Sequence, residues 1–276
     1  MKILAVIGDP ISHSLSPIMH NAALIDKKLQ NFYHYSSYHV TPNSLKKFID
    51  DLDNNNISGF NVTLPHKIAI IPHLDKIDED TREIGAINTV VKKNSTLIGY
   101  NTDKDGFLLS LKENNIEYKN KKTLILGAGG AATAIVYGLL KNGSEIKIYN
   151  RTESKSLILK EKFDNLGSIE IQKTLNTENV DLIVNTTSVG MNSSEIPVNP
   201  KYINSKHTVI DIIYTPFETS LLQEAKQKNC FFLGGLDMLI NQGALAFTLF
   251  TNVNPDRTVM KNAVLNYLNK KKNRIT

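Results

Sequence analysis

Apolar and polar positions fall into short blocks that predict strands and helices in turn. The apolar run Ile3–Ile7 is stopped by Gly8-Asp9-Pro10, and Lys2–Ile7 reads as a buried strand leading into a loop over Gly8–Ser16. Ser16-Pro17 places an N-cap before a proline suited to the first helical position, which predicts a helix to about Lys28. Tyr33–Val40 is strand-like, Thr41-Pro42-Asn43 opens a helix to about Asn54, and Gly59–Thr63 is a short strand. Two short helices are expected across Pro65–Glu83. A hairpin of Asn88–Lys93 and Thr96–Tyr100 turns at Asn94-Ser95, and a helix covers Asp103–Asn114.

After the polar stretch Asn114–Lys122 the pattern becomes more regular. Thr123–Leu126 is an apolar strand running into Gly127-Ala128-Gly129-Gly130, followed by a helix of small and apolar residues, Ala131–Lys141. Strand Glu145–Tyr149 and helix Glu153–Phe163 come next, then strands near Ile169–Ile171, Leu182–Asn185 and Thr208–Ile212. Helix Glu218–Lys228 and strand Cys230–Leu233 complete this part, and Leu236–Leu268 is helical only. Such strand–helix alternation implies a parallel sheet with helices on both faces.

Composition narrows the class. The 276 residues suggest two domains at ~150 residues each. A hydrophobic fraction of 41% is too high for a disordered chain. The net charge of +5 comes from scattered lysines, not from a stripe, and the basic tail Lys270, Lys271, Lys272, Arg274 reads as a solvated end. Nucleic acid is therefore not the expected partner. The single cysteine, Cys230, excludes an intrachain disulfide and a Cys-based zinc site, and the histidines lack metal-ligand spacing. No apolar run approaches the ~18 residues of a membrane span, so the expectation is a cytoplasmic protein without membrane contact.

The strand–Gly127-Ala-Gly129-Gly-Ala-Ala132–helix passage fits a dinucleotide-binding turn. The first glycine permits the tight turn, the second lets backbone approach a pyrophosphate, and Ala132 allows helix and sheet to pack closely. Gly127, Ala128, Gly129, Gly130 and Ala131 then present amide groups and the positive helix end to the phosphates. The next strand ends at Asn150-Arg151-Thr152, with Lys155 one helical turn on. An acidic residue there would receive a free ribose 2′-hydroxyl, whereas a guanidinium matches a 2′-phosphate. The reading is NADP rather than NAD.

Three polar clusters follow the earlier strands. They are Gly8-Asp-Pro-Ile-Ser-His13-Ser14-Leu-Ser16-Pro17-Ile-Met-His20-Asn21, then Asn61-Val-Thr63-Leu-Pro65-His66-Lys67, then Gly85-Ala-Ile-Asn88-Thr89 with Gly99-Tyr-Asn101-Thr102-Asp103. None has the order of a Ser-His-Asp hydrolase. They share neutral hydrogen-bonding groups, one cation and one carboxylate, which suits a polyhydroxylated anionic small molecule. His13 and His20 read as hydrogen-bond partners within loop and helix, and Asn21 as a residue that pins a loop.

These clusters, with Asn150-Arg-Thr152, Asn185-x-Thr187-x-x-Gly-Met191, Asp211-x-x-Tyr214-x-Pro216 and Gly235-x-x-Met238-Leu-x-x-Gln242, occur in an order that resembles the shikimate/quinate dehydrogenase family, from Gly8 to Gln242. The resemblance implies an α/β fold of two domains. An N-terminal α/β substrate domain would comprise residues 1–102 plus 237–276, its C-terminal helices returning to it. A Rossmann-like, doubly wound NADP domain would comprise 103–236. The implied activity is the NADPH-dependent, reversible reduction of 3-dehydroshikimate to shikimate. Lys67 and Asp103 are then the catalytic pair, Ser14 and Ser16 hold the carboxylate, and Thr63, Asn88, Tyr214 and Gln242 are further substrate contacts. Thr187, Met191, Ile212, Gly235 and Met238 would line the nicotinamide side. The family allows a monomer or a homodimer. Rival readings are an NAD-dependent quinate/shikimate dehydrogenase, which would want an acid near Asn150, a methylene-tetrahydrofolate dehydrogenase, and a non-catalytic NADP-binding regulator of the same fold.

Overall fold

The computed structural model describes residues 1–191 and 193–272, so Arg274 of the basic tail lies outside the described residues. The chain forms two units. The first takes Met1–Thr102 and the chain from Ile240 on, and the second takes Asp103–Leu239.

In the first unit the order is β1 (Lys2–Gly8), α1 (Ser16–Asp26), β2 (Tyr33–His39), α2 (Leu45–Asp50), β3 (Ile57–Val62), α3 (His66–Ala69), β4 (Lys76–Ile77), α4 (Glu79–Ile84), β5 (Thr89–Lys93) and β6 (Thr96–Tyr100). The sheet runs β2-β1-β3-β5-β6-β4, with β3 and β5 antiparallel and β5–β6 a hairpin. One face is closed by Ile7, Phe48, Phe60, Ile70, Ile87 and Val90, all buried.

Three local expectations are corrected here. Ser16 is the first helical residue of α1, not its cap. Leu15 occupies the cap and makes no side-chain cap bond, so the helix starts on its proline alone. The Thr41 segment opens as a 3-10 turn, Pro42–Ser44, closed by reciprocal Thr41 and Ser44 bonds before α2. The Pro65–Glu83 stretch is not helical throughout, because β4 joins the sheet beside β6, where the Leu97 amide also donates to the Asp75 carboxylate at 2.7 Å.

The second unit runs α5 (Asp103–Glu113), β7 (Lys122–Leu126), α6 (Gly130–Leu140), β8 (Glu145–Tyr149), α7 (Glu153–Phe163), β9 (Ile169–Ile171), β10 (Leu182–Asn185), β11 (Thr208–Asp211), α8 (Ser220–Gln227) and β12 (Phe231–Leu233). Its sheet, β12-β11-β10-β7-β8-β9, is parallel throughout. The central strands Leu124–Leu126 and Leu182–Val184 are buried, as continuous apolar strands covered on both faces must be. Helix α8 begins at Ser220 instead of Glu218 because the Thr219 hydroxyl accepts from the Leu222 amide and caps it.

The chain ends in α9 (Leu236–Thr251) and α10 (Arg257–Lys272), of which α10 packs on α1. The passage back to the first unit falls at Ile240, inside α9, rather than at Asp237. No helix among the described residues is long and apolar enough to cross a membrane.

Candidate functional site

In the second unit, connections from β7 and β10 leave in opposite directions, the arrangement that opens a crevice at the carboxyl ends of neighbouring strands. Gly127 follows β7 with φ +110°, a left-handed conformation open to glycine. A Cβ there would also lie 2.7 Å from Thr186 Oγ1 and 3.0 Å from Thr187 Cγ2, so the two loops meet at this point. Gly129 differs: a Cβ on it would meet nothing within 4 Å. No atom of the described residues demands glycine there, and the space suits the close approach of a phosphate. Gly130 begins α6, with Ala131 in its first turn, so the helix N-terminus faces the same turn. The residues present therefore fit a dinucleotide. Asn150 donates to the Thr152 carbonyl at 2.8 Å, which shapes the turn that carries exposed Arg151 and Thr152. Lys155 is exposed in the first turn of α7.

The loops after β10 and β11 are held from beneath by a buried polar cluster. Asn185 Oδ1 accepts from the Thr187 amide (3.0 Å) and hydroxyl (2.7 Å), while Asn185 Nδ2 donates to Asp211 Oδ1 at 3.0 Å. Asp211 also accepts from the Ile213 amide (3.0 Å) and the Thr219 hydroxyl (2.7 Å). Burial raises the Asp211 carboxyl above the usual range, and these three bonds oppose the rise. Sequence reasoning assigned no role to Asn185 or Asp211. The available signal was a polar residue closing an otherwise apolar strand. Ile212 and Gly235 are in contact, since a Cβ on Gly235 would lie 2.1 Å from the Ile212 carbonyl oxygen. Met238 is buried, and the half-buried Tyr214 has its phenol pushed up by desolvation. Asp103 is the first residue of α5 and is buried, a position where a carboxylate favours the helix dipole.

In the first unit the connections of β1 and β3 also diverge, and the first two polar clusters leave from these strand ends. Gly8 and Thr63 lie side by side: a Cβ on Gly8 would be 2.5 Å from Thr63 Cγ2. Ser16 is buried and its amide donates to half-buried Ser14 Oγ at 3.3 Å. Half-buried Lys67 lies in α3, and its carbonyl accepts from the Ile87 amide at 2.7 Å, next to Asn88. Asn88 Oδ1 accepts from the Thr102 amide (2.8 Å), and its Nδ2 donates to Thr102 Oγ1 (2.8 Å) and to Gln242 Oε1 (3.3 Å). Within this unit Ser14 thus pairs with Ser16, and Asn88 with Thr102 and Gln242. Thr63 and Lys67 follow β3 beside it.

His20 is not the hydrogen-bond partner expected from its motif. Among the described residues neither ring nitrogen has a partner, and the ring stacks on Tyr35 with centroids 4.2 Å apart. Asn21 does pin its neighbour, exchanging two bonds with the Tyr35 main chain at 2.8 and 3.0 Å. Burial lowers the His20 pKa from 6.5 to about 3, so the unfolded chain binds more protons between those values. Its contribution to stability is complete above about pH 6.5 and is lost as the pH falls toward about 3. Urea unfolding between about pH 7 and 4 is expected to show that loss, and His20→Phe, which keeps a stacked ring, to flatten it. An unchanged acid slope in the variant would place the loss elsewhere.

Three comparisons bear on these geometries. Residues 6–90 match the shikimate dehydrogenase substrate binding domain, 110–212 the shikimate / quinate 5-dehydrogenase domain, and 235–265 the shikimate 5'-dehydrogenase C-terminal domain. A shikimate dehydrogenase (NADP(+)) of Methanococcus aeolicus is 42% identical over 275 residues, covering 97% of this chain and 98% of its own. A crystal structure of a shikimate dehydrogenase in complex with NADP+ superposes with a TM-score of 0.90 at 42% identity, covering 97% of this chain and 96% of that one. A shikimate 5-dehydrogenase from Thermus thermophilus, in complex with NADP(H) and shikimate, gives 0.88 at 36% identity, covering 96% and 99%.

Proposed function

The chain belongs to the shikimate dehydrogenase family, and on that premise we propose that Lys67 and Asp103 are the acid–base pair of its reaction. The enzyme is an NADP-dependent oxidoreductase that interconverts 3-dehydroshikimate and shikimate, a step of aromatic amino-acid biosynthesis. The observation that carries this reading is the place of the glycine turn. It leaves the strand at which the connections of the parallel sheet diverge, and the turn after the next strand carries Arg151 between Asn150 and Thr152, with no acidic residue beside it.

Bound NADPH supplies the hydride that reduces the ketone carbon. Gly127 to Ala131 hold its pyrophosphate, Arg151 and Lys155 its 2′-phosphate with Asn150 and Thr152 shaping that turn, and Thr187, Ile212, Gly235 and Met238 the nicotinamide side. In the reducing direction Lys67 gives a proton to the carbonyl oxygen, so the product leaves as an alcohol. In the oxidising direction the same group takes that proton back. Asp103 accepts a hydrogen bond from the reacting hydroxyl. Ser14 and Ser16 donate to the substrate carboxylate, and Thr63, Asn88, Tyr214 and Gln242 bind the rest of the ring. Domain roles follow: residues 1–102 with the C-terminal helices bind substrate, and 103–236 bind NADP. A cytoplasmic location belongs to the same reading, and the lone Cys230 is in keeping with it.

The direct test is NADP reduction followed with shikimate, with quinate and with neither. Turnover of shikimate with NADP and little with NAD is the expected result, and absence of turnover with either substrate would favour a binding protein. Ser14→Ala is expected to raise the shikimate KM about 5–15-fold, the worth of one hydrogen bond, with a smaller change in kcat. A fall in kcat at constant KM would remove Ser14 from the binding role.

A further inference from the structure

Tyr35 lies on β2, in the sheet position farthest from the hairpin that carries Asn88, and no motif drew attention to it. Its main chain is clamped twice by Asn21. Its ring is buried against His20, which in turn stacks on Phe247 of α9 with centroids 6.1 Å apart. Its hydroxyl crosses β1 to reach β3 and donates to Asn61 Oδ1 at 2.6 Å. The direction of that bond is determined. Asn61 Nδ2 faces the Asn88 carbonyl at 3.1 Å, an oxygen that can only accept, so the amide oxygen must point at Tyr35.

From Asn61 the chain continues. Asn61 and Thr89 are paired across the antiparallel strands, and Nδ2 donates to Thr89 Oγ1 at 2.9 Å. Thr89 passes its own proton to Asn88 Oδ1 at 3.0 Å, and Asn88 donates to Gln242. The Tyr35 hydroxyl therefore reaches Asn88 and Gln242 through the buried side chains of Asn61 and Thr89.

We infer that Tyr35 is a positioning residue for substrate, anchoring through its hydroxyl the polar chain formed by Asn61, Thr89, Asn88 and Gln242. This rests on the substrate-site reading given above. Tyr35 touches neither substrate nor cofactor. It sets the orientation of groups that do, in a buried network where a missing link leaves its neighbours unsatisfied.

Tyr35→Phe removes the hydroxyl and keeps the ring on His20. The expected result is a shikimate KM raised about 5–15-fold, with the NADP KM unchanged and kcat at saturation within about 3-fold. Thr89→Val, of similar shape, cuts the chain one link further on and should give the same split, so the test survives poor folding of either variant. The Tyr35→Phe/Thr89→Val double variant should raise KM by less than the product of the single effects. An unchanged or lowered shikimate KM in both Tyr35→Phe and Thr89→Val overturns the inference, as does an equal loss for both ligands, which a merely structural role would produce. If Ser14→Ala raises KM and these variants do not, Tyr35 alone is excluded. If none of them moves KM, the substrate-site reading falls and takes the inference with it.

Discussion

Lys67→Ala is expected to lower kcat by about 10²–10⁴-fold, the usual range for a removed acid–base group, while the shikimate KM shifts far less. The reason lies in when the charge is needed. A proton must reach the carbonyl oxygen as the hydride reaches the carbon, and an alanine offers none. On the proposed roles Ser14 and Ser16 hold the carboxylate alike in ground and transition states, so that binding should survive the change. The backbone of α3 is tied at Lys67 by the Ile87 amide, and Lys67 itself is only half-buried beside exposed Ile68, so the substitution opens no core cavity. Melting temperature should therefore stay close to that of the parent. Steady-state kinetics in both directions check this, and Asp103→Asn is the control: it keeps shape and one hydrogen bond but removes the charge, so kcat and KM should both suffer. Near-normal kcat with only KM raised in Lys67→Ala would make Lys67 a binding residue and pass proton transfer to Asp103 or a water that it holds.

Arg151→Ala should weaken NADP use by roughly 1.5–3 kcal/mol, or about 10–150-fold in KM, the scale of a hydrogen bond to a charged group. NAD use should change little, since NAD carries no 2′-phosphate for the guanidinium to meet. Arg151 is exposed at the start of α7, so its charge is screened by salt, and the NADP effect should shrink as ionic strength rises. The measurement is the ratio of NADP to NAD efficiency at two salt concentrations. Equal losses for both cofactors would mean that Arg151 shapes the turn without reading the phosphate.

Most of the second unit was legible because its signals are local. A turn that needs φ +110° selects glycine wherever it occurs, and strands buried on both faces are apolar from end to end. Departures came where tertiary contacts overrode local preference. Ser16 looked like a cap, yet Leu15 occupies that position in α1. His20 carries two polar nitrogens, yet it serves as a stacked ring. Lys76–Ile77 is too short to register as a strand until β6 lies beside it.

The strand–helix order of the nucleotide half, the glycine turn, the charge that follows the next strand and the loops that carry the polar clusters can be read along the chain, because each depends on residues within a few positions of one another. Which polar groups meet depends on how the sheets are assembled. Tyr35 and Asn61 are 26 residues apart, as are Asn185 and Asp211, and Asn88 and Gln242 are 154 apart. Such pairs have no local signature. They are made by sheet order and register, which place β1 between β2 and β3, set Asn61 opposite Thr89, and bring the chain back through α9 to put Gln242 against Asn88.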